Sequence, residues 1–315
     1  MRRARSTPTG SVVIVTLRSF GPAQVDSSDP RSNGVTSVTG RALRRGSGGH
    51  VKSALCVGIN DYPVRGSDLK GCVNDAKSWA ALLVDHYGFD PKRVTLLLDA
   101  NATKRRILNR LDRLIADAQP GDVLVFTNSS HGTYVADDDG DETRYDEALC
   151  PYDMKKNLII DDELRRRFAA LPKGVRLTVI SDSCFSGSVT RGDMIETPDD
   201  RRPRFVNPSE IGRREIAGVR QRAVPRAAEK HPESKRRELV VSGCRDNQYS
   251  YDARFGHEYH GAMTYFALEI IRAANYKLSY QELWDRLVVR LEAEGFDQEP
   301  QVEGTKSNKR RALFT

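Results

Sequence analysis

Two side chains in this 315-residue sequence have the chemistry of a base and a nucleophile, and each follows a short apolar run. His131 lies in Ser129-Ser130-His131-Gly132, just past Val-Leu-Val-Phe. Cys184 lies in Ser181-Asp182-Ser183-Cys184-Phe185-Ser186-Gly187, just past Leu-Thr-Val-Ile. The thiolate is the reactive form of cysteine, and a neighbouring imidazole can take its proton and later return it to a leaving amine. Backbone amides in the small turns at Gly132 and Cys184 are placed to bind a developing oxyanion. Singly, each residue has a plainer reading: an apolar filler for the thiol, a solvated loop for the imidazole. It is the pair, both at strand ends in Ser/Gly-rich turns, that favours chemistry.

The elements that must position them alternate along the chain. Apolar runs at residues 54–59, 93–98, 122–127, 175–180 and 238–243 read as strands. Helical spacing appears at 74–87, 103–118, 162–170, 261–273 and 279–294, with Thr103 as an N-cap. This alternation predicts an α/β fold with a mainly parallel central sheet flanked by helices on both faces. Parallel strands carry His131 and Cys184 to one sheet edge, the edge where ligands bind in such folds.

Composition narrows the classes. Hydrophobic residues are 38% and charged residues 30%, and no apolar run reaches the roughly 18 residues that span a bilayer, so no membrane role is expected. The net charge is +7, but residues 1–52 hold nine basic and two acidic side chains, and residues 191–237 hold thirteen and eight. The rest of the chain is acidic, which argues against a nucleic-acid-binding face. Five cysteines without a CxxC pair argue against structural zinc and for reduced thiols in the cytoplasm. Residues 1–25 carry Arg2, Arg3, Arg5 and Arg18 and no acid, so organellar targeting stays open. The chain divides into a basic, aperiodic segment (1–50), a larger catalytic region (51–187), a basic linker loop (188–237) and a smaller region of the same folded domain (238–315).

Longer motifs add to this reading. Ala54-Leu-Cys-Val-Gly-Ile-Asn-Asp-Tyr62, Leu69-Lys-Gly-Cys-Val-Asn-Asp-Ala76, Ser130-His-Gly132 and Asp182-Ser-Cys-Phe-Ser-Gly187 resemble the catalytic, p20-like region of metacaspases. These are caspase-like cysteine peptidases of plants, fungi, protists and bacteria. Ser242-Gly-Cys-Arg-Asp-Asn-Gln248, Gly261-Ala-Met-Thr-Tyr-Phe266 and Gln298-Glu-Pro-Gln301 resemble the family's p10-like region. The His precedes the Cys by about 50 residues, as in caspases. The resemblance implies a caspase-hemoglobinase fold, a single-chain monomer, and protein or peptide substrates cut after Arg or Lys. Asp75 and Asp182 match the family's pocket acids, with Cys72 and Ser129 beside them. Where the caspase signature has Gln two before the Cys, Asp182 stands here, which favours a basic side chain before the cut.

Such a pocket makes the basic loop a self-cleavage candidate, at Arg191, Arg201, Arg202, Arg213, Arg214, Arg220, Arg222, Arg226, Lys230 or Lys235 to Arg237. Arg44-Arg45 would release the N-terminal segment. Many metacaspases need calcium, and Asp146, Asp161 and Asp162 match three of their ligands; Asp193 lies near the expected fourth position, itself closer to Arg191. Asp137 to Glu142 is acidic but lacks EF-hand order and reads as a surface loop. The alternative function is a catalytically silent scaffold of the same fold.

Overall fold

The first strand sets the layering. In β1 (Lys52–Gly58), Ala54 and Cys56 join one hydrophobic core and Leu55 and Val57 the other, because successive side chains point to opposite faces. The computed structural model describes residues 49–136, 145–185, 200–213, 237–245 and 248–315. Along the chain follow α1 (Cys72–Tyr87), β2 (Val94–Leu98), α2 (Lys104–Ala116) and β3 (Val123–Ser129). Then come β4 (Gly132–Ala136), β5 (Tyr145–Leu149), β6 (Ile159–Ile160), α3 (Asp161–Ala169) and β7 (Arg176–Asp182). The later elements are β8 (Arg201–Pro203), β9 (Leu239–Ser242), β10 (Tyr251–Phe255), β11 (Glu258–Gly261), α4 (Ala262–Ala273), α5 (Tyr280–Ala293), β12 (Gln301–Glu303) and α6 (Lys306–Arg310).

The central sheet has the order β12-β9-β7-β3-β1-β2. Its pairs are parallel except for the antiparallel edge β12. Helices α1, α4 and α5 bury one face, and α2 and α3 the other. The α/β architecture with a mainly parallel sheet is therefore as the sequence predicts. Trp79 of α1 and Phe266 of α4 lie in the same core, and Trp79 Nε1 donates to Thr264 Oγ1 at 3.4 Å. Each fully buried side chain of this size contributes about 1.5–3 kcal/mol.

Two small antiparallel sheets, β4-β5-β6 and β11-β10-β8, sit outside the expected set of elements. Helix α1 begins at Cys72, two residues before the expected start, because its cap comes from far away. Asn60 Oδ1 accepts the Val73 amide of the first turn at 3.1 Å, and Asp252 accepts the preceding Gly71 and Lys70 amides at 3.0 and 2.8 Å, since Gly71 has no side chain to cap with. The helix start packs directly on β1: a Cβ on Gly58 would run into the Cys72 carbonyl. That contact brings the first turn of α1, with Cys72 and Asp75, to the carboxyl edge of the sheet. Residues 200–213 lie inside the stretch read as a linker loop, yet they form β8 and a 3-10 turn at Pro208–Ile211, with Val206 and Ile211 buried. The acidic stretch 137–142, Arg191, Asp193, Arg44-Arg45 and the basic positions 214–236 lie outside the described residues. Among the described residues no helix is long and apolar enough to cross a membrane.

Candidate active site

Adjacent parallel strands carry His131 and Cys184 to the same edge of the sheet. In the β3–β7 register Ser129 is opposite Asp182, so His131 and Cys184 each lie two residues past a matched pair. Both are buried, as is Ser129. The His131 ring is held by residues the motifs did not single out for this role. Its Nε2 lies 2.8 Å from the Ser67 carbonyl, its amide donates to the Tyr62 hydroxyl at 3.1 Å, and the Tyr62 ring lies 5.2 Å away. A proton on Nε2 bonded to Ser67 leaves Nδ1 as the ring's acceptor. Burial lowers the His131 pKa to about 3, with the Arg202 and Arg204 charges acting in the same sense and the Ser67 and Arg204 backbones against it. The buried imidazole is thus neutral.

The Cys184 thiol donates to the Ser250 carbonyl at 3.1 Å and accepts from the Ser250 amide. Cys244 is the adjoining thiol. Its pKa is pushed well up, first by a hydrogen bond to Cys184 and then by burial, so it remains protonated. Asn128 ties the two turns together by donating to Ser130 Oγ and Ser183 Oγ at 2.9 and 3.0 Å.

Next to the thiol stands a buried acidic cluster, and it is filled. The Arg204 guanidinium is fully buried, with Nη2 2.7 Å from Asp75 and 2.9 Å from Asp252, and Nη1 3.4 Å from the Asp182 carboxylate. Burial pushes the Asp75 carboxyl above its ordinary value, against the opposing pull of Arg204 and His260. Asp182 is braced by Thr264, whose amide and hydroxyl donate to it at 3.1 and 2.7 Å, and by the Ser250 hydroxyl. Cys72 borders the same cluster; its thiol is held well up by burial. A Cβ on Gly261 would strike the Asp182 carboxylate and the Arg204 guanidinium, so only glycine leaves room there. The sequence singled out Asp75, Asp182, Cys72 and Ser129 but neither Asp252 nor Arg204. Both amides expected to bind an oxyanion point at one atom: Gly132 N–H and Cys184 N–H donate to the Arg204 carbonyl at 3.0 and 3.2 Å.

His260 links the cluster to pH. Its Nδ1 lies 3.0 Å from Asp75; burial works against its charge, but the hydrogen bonds and charges of Asp75 and Glu258 hold its pKa above the ordinary value. A raised histidine pKa stabilises the fold fully below the unfolded value of about 6.5, and that share is lost as pH rises through the folded value. Chemical denaturation should therefore show stability falling on the alkaline side of about pH 6.5, and His260→Gln should flatten that limb. Equal slopes in the two proteins would refute the coupling.

The three aspartates matched to calcium lie at the β5–β6–α3 end. Asp146 is on β5, and Asp161 and Asp162 open α3. Arg165 bridges Asp161 and Asp162 at 2.7 and 2.8 Å. As arranged, a guanidinium takes the place between those two carboxylates that a cation would need, and no group of three His, Cys, Asp or Glu side chains among the described residues is gathered to hold a metal ion.

A cysteine and a histidine at adjacent strand ends, two amides on one carbonyl and a buried acidic cluster beside them match the layout of a cysteine peptidase of caspase type. Comparisons with known proteins agree. Residues 52–192 match the metacaspase, peptidase C14 domain. Metacaspase-1A of Neurospora crassa is 33% identical over 285 residues, spanning 80% of this chain and 62% of that protein. Metacaspase-1 of Scheffersomyces stipitis is 30% identical, spanning 80% and 70%. Metacaspase-8 of Arabidopsis thaliana is 41% identical over 146 residues, 44% of this chain and 38% of that protein. The chain thus spans less than two thirds of some of these relatives. Among solved structures, a Geobacter sulfurreducens protein superposes with a TM-score of 0.64 at 28% identity, covering 84% of this chain and 98% of that one. Caspase-1 of Spodoptera frugiperda shares the fold, at a TM-score of 0.50 and 14% identity, covering 81% and 86%. The chain belongs to the metacaspase family of caspase-like cysteine peptidases.

Proposed function

We propose that this chain is an endopeptidase cleaving protein and peptide substrates after Arg or Lys, and that it acts as a single-chain monomer. One observation carries the reading: an arginine side chain lies among three buried carboxylates while its own carbonyl receives both backbone amides beside Cys184. A cation removed from water demands such carboxylates, and an anionic side chain would be repelled there. In the proposed reaction His131 Nδ1 takes the Cys184 proton, the sulfur attacks the carbonyl carbon, and the Gly132 and Cys184 amides hold the oxyanion. The leaving amine departs with the proton from His131, and water then releases the acid product from the thioester. Tyr62 and Ser67 act as positioning residues for the imidazole.

Calcium dependence is part of the proposal. An ion held by Asp146, Asp161 and Asp162 would need Arg165 to leave its two carboxylates, and oxygen donors of this kind suit calcium. The test is release of a fluorophore from Arg-, Lys- and Asp-terminated peptides by the native chain and by Cys184→Ala, with calcium and with chelator. The expected result is release after Arg and Lys, absent in the variant and reduced by chelator. Release after Asp alone would overturn the pocket assignment. A chain inert in every arm would be a silent scaffold.

A further inference from the structure

The backbone around Arg204 runs through the site as a substrate strand. Strand β8 pairs antiparallel with β10, with Pro203 opposite Tyr251, Arg202 opposite Asp252 and Arg201 opposite Ala253. The Arg204 amide continues the ladder by donating to the Ser250 carbonyl at 2.9 Å. On the other side of the thiol, Val206 N–H donates to the Gly132 carbonyl at 3.0 Å. The bond between Arg204 and Phe205 is therefore held by hydrogen bonds on both sides, with its carbonyl on the two amides. The flanking side chains are seated as well. Arg201 donates to the Gly295 and Glu294 carbonyls and lies 3.9 Å over the Phe296 ring; Arg202 donates to the Asp68 and Gly66 carbonyls. Phe205 packs near Tyr134 and Tyr249, with ring centroids 6.1 Å away in both cases.

Among the other basic positions considered for self-cleavage, Arg201 and Arg202 sit in the β8–β10 ladder away from the thiol, and Arg237 donates to the Leu171 carbonyl. Arg213 lies beyond the 3-10 turn, its amide bonded to Pro208. Only Arg204 of the described residues combines the buried acids, the two amides and a position beside Cys184.

We propose that Arg204–Phe205 is the bond this chain presents to its own Cys184 and cuts in cis, an inference that rests on the peptidase reading above. The Cys184 sulfur bonds to the Arg204 carbonyl carbon and the C–N bond to Phe205 breaks. The thiol proton passes through His131 to the new Phe205 amine. Water then hydrolyses the thioester, leaving an Arg204 carboxylate and restoring the thiol.

The experiment follows the new N-terminus by mass spectrometry in the freshly purified full chain and over time, with calcium and with chelator, at several protein concentrations. A Phe205 N-terminus appearing with a rate constant independent of concentration, absent in Cys184→Ala, kept in Arg204→Lys and slowed at least 100-fold in Arg204→Gln, is the expected result. Circular dichroism of Arg204→Gln confirms that it is folded. A chain that hydrolyses Arg peptides yet stays intact at this bond, or cuts it only in proportion to concentration, overturns the inference and spares the peptidase reading. A chain intact there and inert toward all peptides overturns both.

Discussion

Asp75→Asn lowers kcat/KM for Arg-terminated peptides by roughly a hundred- to thousandfold, while alkylation of Cys184 by iodoacetamide runs at least as fast as in the parent. Asp75 is fully buried and makes the shortest contact to the guanidinium, 2.7 Å. Truncating one partner of a buried hydrogen-bonded charge pair costs about 2–5 kcal/mol, and 1.4 kcal/mol is tenfold. The loss stays short of the top of that range because Asp182 and Asp252 still face the cation. The asparagine keeps the shape and can accept the Gly261 amide that Asp75 accepts at 3.0 Å, so the fold should survive.

The opposite movement of the alkylation rate separates this from general damage. Arg204 is held against Cys184, whose amide it accepts, because three carboxylates fix its side chain. Removing one charge weakens that hold, so a small neutral alkylating agent reaches Cys184 more often. Loss of both activities together would mean that the substitution disturbs the thiol itself, and an unchanged kcat/KM would remove Asp75 from the pocket.

The sequence made the shared edge of His131 and Cys184 legible for a simple reason. The apolar runs of β3 and β7 are buried along almost their whole length, so they read as parallel core strands whose ends share an edge. His131, Cys184, Asp182 and the two amides follow from that edge. The short strands of the side sheets were not legible: β5 reads Tyr-Asp-Glu-Ala-Leu and β8 Arg-Arg-Pro, with neither an apolar run nor clean alternation. Strand β5 is held between its chain neighbours β4 and β6, and β8 by the distant β10.

Arg204 shows the limit most plainly. It is one of thirteen basic residues between 191 and 237, and nothing in its type marks it. Two of its three acids come from 129 and 48 residues away, on elements that meet only in the folded chain. A faint signal did exist, since Phe205 is the one aromatic residue in that basic stretch, and a buried aromatic anchors a segment that composition alone would leave in solvent. Asp252 carried no signal at all, because its two tasks, capping α1 and holding Arg204, both belong to tertiary structure.

Arg204→Ala should destabilise the fold by about 3–5 kcal/mol, because breaking a buried ion pair leaves uncompensated charge, here shared among three carboxylates. For a unit of this size that is a fall in Tm of about 10 °C. Part of the cost is recovered by proton uptake: Asp75 already lies above its ordinary value, by burial and the nearby Asp182 charge, with Arg204 as a main opposing influence. Without the guanidinium that influence is gone, so the variant should lose less stability at low pH than at neutral pH. The sharper readout is chemical rescue. Agmatine, which carries a guanidinium and no carboxylate, fits the vacated acids, and a hundredfold excess over its dissociation constant restores about 2.7 kcal/mol. It should raise the Tm of Arg204→Ala and leave the parent unchanged, since the parent's acids are already occupied. A variant as stable as the parent would mean that the guanidinium contributes no net stability where it sits. A variant destabilised but insensitive to agmatine would mean that the cavity collapses when Arg204 is lost, and that the acids are held apart only by the side chain that fills them.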